Sequence, residues 1–239
     1  MSDIENKIED LWDQGDPQAF NQFEQEIKTK ANDKDVNGCV TLAKFYYRFS
    51  LLHDEKSNTS KQYWVEGDKY AEDKTSWKKG EELINEALEL IKNAHEMSPD
   101  SPQVLPYYSL IIYRKIRHCN MLTALPHMKS LLEINKKTLE IGKEDNPTAV
   151  LAYAIKELGR SPKMGGSPRN AINYFKKVLE LDPNHAEGHF WFGRFYMSPD
   201  IKAQPKLALP YFEKATSLNP QNWLYRGNLE AFIKAFPSE

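Results

Sequence analysis

One spacing of small, large, small and proline residues occurs three times in this 239-residue chain. In each set the positions step by four, three and five residues. Steps of four and three put the first three residues on one stripe of an α-helix, and the proline cannot continue that helix. The pattern therefore predicts three helices that end at a fixed place and pack closely through their small residues. The sets are Ala87, Ile91, Ala94 and Pro99; Ala171, Phe175, Val178 and Pro183; and Ala208, Phe212, Ala215 and Pro220.

A shorter helix containing a glycine precedes two of these sets. Leu158-Gly159 lies in the predicted helix 152–159, and Phe192-Gly193 lies in the predicted helix 186–197. The two glycines are 34 residues apart, so each glycine-bearing helix and the following helix form one repeated hairpin. Residues 123–141 are predicted to be a further second helix, lengthened and without the terminal proline.

The N-terminal third lacks the repeat, but its apolar residues also recur at helical spacing. Stripes that begin at Ile4 and Phe20 predict a short helical hairpin, followed by a helix at 36–52 and an inserted helix at 61–73. Residues 223–236 are predicted to cap the stack. No segment alternates apolar and polar residues as a strand would, so we expect an all-α chain. We predict a single domain over residues 1–239, with irregular helices at 1–73, hairpins at 74–222 and the cap at 223–236.

Composition restricts the class of protein. Hydrophobic residues make up 40% of the chain, charged residues 28%, and the formal net charge is −2, which disfavours broad binding to nucleic acid. Only Cys39 and Cys119 are present, so we expect neither a disulfide framework nor a cysteine zinc site. No apolar run approaches the roughly 18 residues of a membrane span, and no secretory signal is recognisable at the N-terminus. We therefore expect a cytoplasmic protein.

The hairpins resemble the tetratricopeptide repeat (TPR), a helix-turn-helix unit of 34 residues. The likeness is strongest over residues 152–222. The order of elements further resembles the helical-repeat proteins grouped with regulators of microtubule dynamics and the T component of TRAP transporters. The resemblance implies an α-α superhelix of stacked hairpins. The residues that carry it are Leu158-Gly159-Arg160, Met164-Gly165-Gly166, Ala171, Tyr174-Phe175 and Leu181-Asp182-Pro183.

Two constellations could carry chemistry, and each has a simpler structural explanation. His185 and His189 are four residues apart, but Glu187 does not stand where a metalloprotease motif requires its glutamate. Met164-Gly165-Gly166-Ser167 could hold an anion, although Ser167-Pro168 more simply begins a helix. We therefore predict no catalytic residue, no metal and no cofactor.

The favoured function is a non-enzymatic adaptor or assembly subunit that binds a peptide or helix in a concave groove. The TPR resemblance implies that first helices line this groove. Three arginines, one lysine and no acid at the corresponding places predict a locally basic groove and a partner with carboxylates. The predicted partner-binding residues are Tyr113, Arg114, Tyr153, Lys156, Arg160, Phe190, Arg194 and Met197.

Other interpretations of these residues stay open at this stage. Arg160 and Arg194 could instead pair with neighbouring acids or cap a helix end. The chain could be a carrier of a small molecule or lipid-like ligand, with Phe190 and Tyr153 lining an apolar pocket. An enzyme would need a histidine or carboxylate cluster assembled across hairpins. The sequence does not determine the oligomeric state.

Overall fold

A computed structural model describes residues 3–56, 73–142, 145–159, 167–198 and 201–237 of the chain. Within these ranges there are eleven α-helices and no strand, which confirms the all-α prediction. The predicted inserted helix at 61–73 lies, apart from Asp73, outside the described residues. The helices are α1 Asp3–Gln14, α2 Pro17–Lys30, α3 Val36–Lys56, α4 Lys74–Met97, α5 Val104–Arg117, α6 Met121–Gly142, α7 Pro147–Gly159, α8 Pro168–Leu181, α9 Ala186–Tyr196, α10 Pro205–Leu218 and α11 Trp223–Ala235.

Helix boundaries follow from capping groups and prolines. Pro99, Pro183 and Pro220 each lie two residues beyond the last residue of a helix, as the repeated spacing predicts. At the other ends, side chains accept hydrogen bonds from first-turn N–H groups that have no partner within the helix. These capping residues are Asp16 for α2, Asp73 for α4, Ser167 for α8, His185 for α9 and Asn222 for α11.

The first compact unit contains α1 to α6. Its core includes the rings of Phe20 and Phe49, which stack with centroids 4.9 Å apart. Helices α3 and α4 approach closely at Gly80, whose carbonyl accepts a hydrogen bond of 2.8 Å from the Ser50 hydroxyl. A Cβ atom at Gly80 would lie 2.1 Å from Asp54 Oδ1, so any side chain there would have to displace this buried carboxylate. The close approach of α3 to α4 at this point is therefore fitted to glycine.

The second compact unit contains α7 to α11. Ala171, Ala208 and Ala215 of the repeated pattern are fully buried, and a Cβ atom at Gly193 would lie 2.8 Å from the Phe212 ring. The small residues thus let neighbouring helices approach closely, and the rings fill the space between them. No helix in the described ranges is long and apolar enough to cross a membrane. The single domain over residues 1–239 stays a prediction.

Candidate functional site

The eight predicted partner-binding residues differ in how much surface they present. Three of them are half-buried, four are only 2–3% exposed, and Arg160 lies outside the described residues. A side chain with so little exposed surface can influence a partner only through its neighbours. Of the described residues, the half-buried ones therefore present the most surface to a partner, and the binding role of all eight stays a prediction. The half-buried residues are Tyr113, Tyr153 and Arg194, and the buried ones are Arg114, Lys156, Phe190 and Met197.

Arg114 belongs to a buried ionic cluster in the first unit rather than to an exposed surface. Its Nε lies 2.8 Å from Oδ2 of Asp54, and its Nη2 donates to Oε1 of Glu55 at 3.2 Å. Arg117 Nη1 lies 3.5 Å from the same Glu55 oxygen, and His118 Nε2 lies 3.0 Å from Asp54 Oδ2. We call Asp54, Glu55, Arg114, Arg117 and His118 the α3–α5 ionic cluster. It joins the last turn of α3 to the end of α5.

The α3–α5 ionic cluster brings a histidine and two carboxylates together across helices, as an enzyme would need. Its side chains are almost completely buried. The side chains of Asp54 and His118 have no exposed surface. The Trp77 ring covers the imidazole, with centroids 4.2 Å apart. Burial raises the pKa of the Asp54 carboxyl, while His118 and Arg117 act in the opposite direction. The buried ion pairs of this cluster therefore contribute to the packing and electrostatics between α3 and α5.

Lys156 is also buried, and its charge is neutralised by its neighbour. Its ammonium pairs with the Glu157 carboxylate and lies 3.7 Å from the centroid of the Tyr153 ring. The second oxygen of Glu157 accepts a hydrogen bond of 3.0 Å from the Ser167 N–H. Lys156 therefore adds little charge to the locally basic groove that the sequence predicts, and that groove stays a prediction. Adjacent residues usually diverge on a helix, which is why sequence reasoning missed Glu157.

Phe190 and Met197 belong to the interior of the second unit. The Phe190 ring lies 5.2 Å from the Tyr225 ring and 6.0 Å from the Phe212 ring, so it fills the space between α9, α10 and α11. Met197 is the C-cap residue of α9 and is 3% exposed. Both side chains stabilise the stack on which the half-buried residues are placed.

Arg194 on α9 contacts α11, the helix that holds the equivalent position one repeat further along the chain. Its Nη1 donates to Asn228 Oδ1 on α11 at 3.5 Å, and the two residues are separated by 34 positions. The Asn228 amide also donates to the Leu224 carbonyl at 2.8 Å, which fixes its orientation. Sequence reasoning missed Asn228, although the repeat length of 34 residues points to it from Arg194.

A surface depression of about 480 Å³ lies along α8. Its described lining comes from a single helix and combines polar and charged side chains with the Tyr174 ring. Tyr174, one of its residues, packs against Tyr153 with ring centroids 4.5 Å apart. The lining residues are Asn170, Asn173, Tyr174, Lys176, Lys177 and Glu180.

The two candidate histidines have structural partners. His185 Nδ1 accepts a hydrogen bond of 3.0 Å from the Gly188 N–H at the start of α9. His189 Nε2 lies 2.9 Å from the carbonyl oxygen of Pro183, and burial lowers the pKa of this imidazole. Helix capping and packing thus account for both side chains.

Comparison with known proteins supports an all-α helical-repeat fold. Residues 166–185 match the tetratricopeptide repeat family model, whereas no curated protein matches the chain significantly. The fold is similar to a thermophilic TPR protein of Thermus thermophilus, with a TM-score of 0.53 and 14% identity over 80% of this chain and 91% of that one. The likeness to YrrB, a TPR protein with an unusual peptide-binding site, is weaker, with a TM-score of 0.41 and 16% identity over 94% and 96% of the two chains.

The chain is therefore a helical-repeat protein with a TPR-like fold. Stacked repeats of this kind typically provide extended surfaces for binding other proteins. The finer likeness to regulators of microtubule dynamics and to the TRAP transporter T component stays a prediction.

Proposed function

We propose that this chain is a non-enzymatic adaptor or assembly subunit that binds a peptide or helix of a protein partner in the cytoplasm. The supporting observation is the pair of Arg194 and Asn228, which puts polar groups one repeat apart on α9 and α11. Tyr153 adds a half-buried aromatic ring on α7. Repeated helices that present such groups in series suit an extended ligand.

The partner should carry a carboxylate at the position of Arg194. A guanidinium has five N–H donors and matches a carboxylate in geometry. The neighbouring Asn228 amide, which uses one N–H for the Leu224 carbonyl, has one more to offer. Lys156 contributes little, since Glu157 already neutralises it. The proposed centre of recognition therefore lies at Arg194 and Asn228 rather than along the whole series of basic residues.

The proposal can be tested with peptides selected from a random displayed library against the full chain. Selected peptides should be enriched in Asp or Glu, and Arg194→Ala should weaken their binding about 10-fold or more, because a hydrogen bond to a charged group contributes about 1.5–3 kcal/mol. Fluorescence polarisation gives the affinities. Arg226→Ala is the matched control, because it removes the same charge from an exposed position on α11. Selected peptides without acids, or equal losses for the two variants, would contradict the proposal.

A further inference from the structure

One large aromatic side chain on α9 keeps part of its surface open beside Arg194. Trp191 is half-buried, whereas its neighbours Phe190 and Phe192 are 2% and 1% exposed. Trp191 precedes Arg194 by three residues, so the two side chains lie on one side of the helix, with Cβ atoms about 5–6 Å apart. The guanidinium that we propose to bind a carboxylate therefore has an indole ring as its neighbour.

The Trp191 ring is supported from the interior of the second unit. The Phe190 ring meets it edge to face, with centroids 5.6 Å apart and an angle of 74° between the planes, which is a favourable arrangement for two aromatic rings. Phe190 is in turn packed against the Tyr225 ring of α11 at 5.2 Å. A ligand would therefore meet an indole that is already positioned, which lowers the entropic cost of binding.

The pairing of an aromatic residue with a polar one recurs one repeat later. Tyr225 and Asn228 follow Trp191 and Arg194 by 34 residues each. Tyr225 is only 5% exposed, because its ring packs against Phe190. Both helices thus contribute a polar group to the site, but of these two aromatic residues it is Trp191 that presents more of its surface to a ligand.

Glu187 is the acid that shares this side of α9. It precedes Trp191 by four residues and Arg194 by seven, so it lies about 10 Å from Arg194 along the helix axis but only about 6 Å from Trp191. A ligand carboxylate is therefore less repelled at Arg194 than at Trp191. The order of charges along α9 favours an acid at Arg194 and an uncharged group at Trp191.

We propose that Trp191 determines the specificity of this site by binding an aromatic side chain of a peptide whose acidic residue contacts Arg194 and Asn228. This inference rests on the function proposed above. Residues two positions apart in an extended peptide share a face and are about 7 Å apart, close to the separation of Trp191 and Arg194, whereas adjacent residues face opposite sides. The aromatic residue should therefore stand two positions from the acid.

Three fluorescein-labelled peptides test this inference on the full chain. The first contains Phe-Ser-Glu-Ser-Phe, the second its isomer Ser-Phe-Glu-Phe-Ser, and the third has serine in place of both phenylalanines. The first two have the same composition and charge, but only the first places its rings on the face of the glutamate. It should bind at least about 10-fold more tightly than the second in fluorescence polarisation.

Two substitutions separate the aromatic contact from the acidic one. Trp191→Ala should abolish the preference for the first peptide and leave the weak binding of the third nearly unchanged. Arg194→Ala should weaken the binding of all three. Trp223→Ala is the matched control, because it removes another half-buried tryptophan of the second unit, on a different side of α11 from Asn228, and should leave the preference intact.

A second measurement does not require a stable alanine variant. The indole N–H resonance of Trp191 is assigned in a nitrogen–proton NMR spectrum by its loss in the conservative variant Trp191→Phe. The first peptide should shift this resonance, and the second should not. The shift reports contact at the ring in the unaltered chain.

Several results would overturn the role of Trp191. These are equal affinities for the first two peptides, a preference that persists in Trp191→Ala, an equal loss with Trp223→Ala, or an indole resonance that the first peptide leaves in place. If Arg194→Ala still weakens all three peptides, the proposed function stands without this specificity. If no peptide depends on Arg194, the proposed function fails, and this inference fails with it.

Discussion

Replacing Arg114 by methionine isolates the energetic role of the α3–α5 ionic cluster. The change keeps an apolar stem but leaves Asp54 and Glu55, which are 0% and 6% exposed, without their shared cation. Breaking a buried ion pair by removing one partner costs about 3–5 kcal/mol. For a chain of this size a loss of that magnitude lowers the melting temperature by roughly 6–20 °C. Urea unfolding followed by circular dichroism gives the free energy, and calorimetry gives the melting temperature.

The cost of this substitution should depend on pH. Burial already raises the pKa of Asp54, and removal of Arg114 raises it further. An acid whose pKa is higher in the folded state than in the unfolded state binds more protons when folded, so its penalty is present above the folded pKa and disappears as pH falls through it. The destabilisation by Arg114→Met should therefore be larger at pH 8 than at pH 5.

Two further variants test whether the carboxylate left without its cation causes the loss of stability. Lys115→Met removes a cation from the next position, but its partner Glu81 is 40% exposed, so we expect a loss below about 1 kcal/mol. Adding Asp54→Asn to Arg114→Met removes the carboxylate that lost its guanidinium, while Glu55 keeps Arg117, and should restore part of the stability. A cost for Arg114→Met as small as that of Lys115→Met, or a double variant no more stable than the single one, would refute the reasoning.

Three further substitutions test the packing, the capping and the titration. Gly193→Ala should lower the free energy of unfolding in urea by about 1–3 kcal/mol, because the added Cβ atom would lie 2.8 Å from the Phe212 ring. Gly227→Ala, where the added Cβ atom has nothing within 4 Å, should be neutral or stabilising. Equal effects of the two substitutions would contradict this reasoning. Asn222→Ala should cost about 1 kcal/mol by the same measurement, because its Oδ1 accepts hydrogen bonds from two N–H groups at the start of α11, and an unchanged midpoint would argue against the cap. His189 has a lowered pKa, so the unfolded chain binds more protons below the ordinary value of 6.5 and stability should fall as pH drops through that range. His189→Gln should flatten the dependence of melting temperature on pH, and an unaltered slope would show that this imidazole does not contribute.

The fold could be predicted because its signals are local. Ala171, Phe175 and Pro183 lie within one helix and its end, so their spacing alone indicates a packed face and a stop. The structure places all three as expected, with Ala171 and Phe175 fully buried. The same local logic predicted α6, which the structure extends by a few residues to Met121–Gly142.

The environment of the candidate residues could not be predicted in the same way. Arg114 and Glu55 are 59 residues apart, and nothing in the spacing of either residue indicates their pairing. Repeat position alone suggested that Arg114 faces a groove, but the carboxylates at the end of α3 hold it in the interior. Burial of Phe190 likewise depends on rings from α10 and α11, which repeat position does not reveal.

The close approach at Gly80 has an evolutionary consequence. Any side chain at this position would displace the Asp54 carboxylate, which would lie 2.1 Å from the new Cβ atom. Loss of that carboxylate would in turn leave Arg114 without one of its two buried counter-charges. The residues at positions 54, 80 and 114 should therefore covary among homologous sequences. A lineage that acquires a larger residue at 80 should replace the acid at 54 and the arginine at 114 with neutral residues.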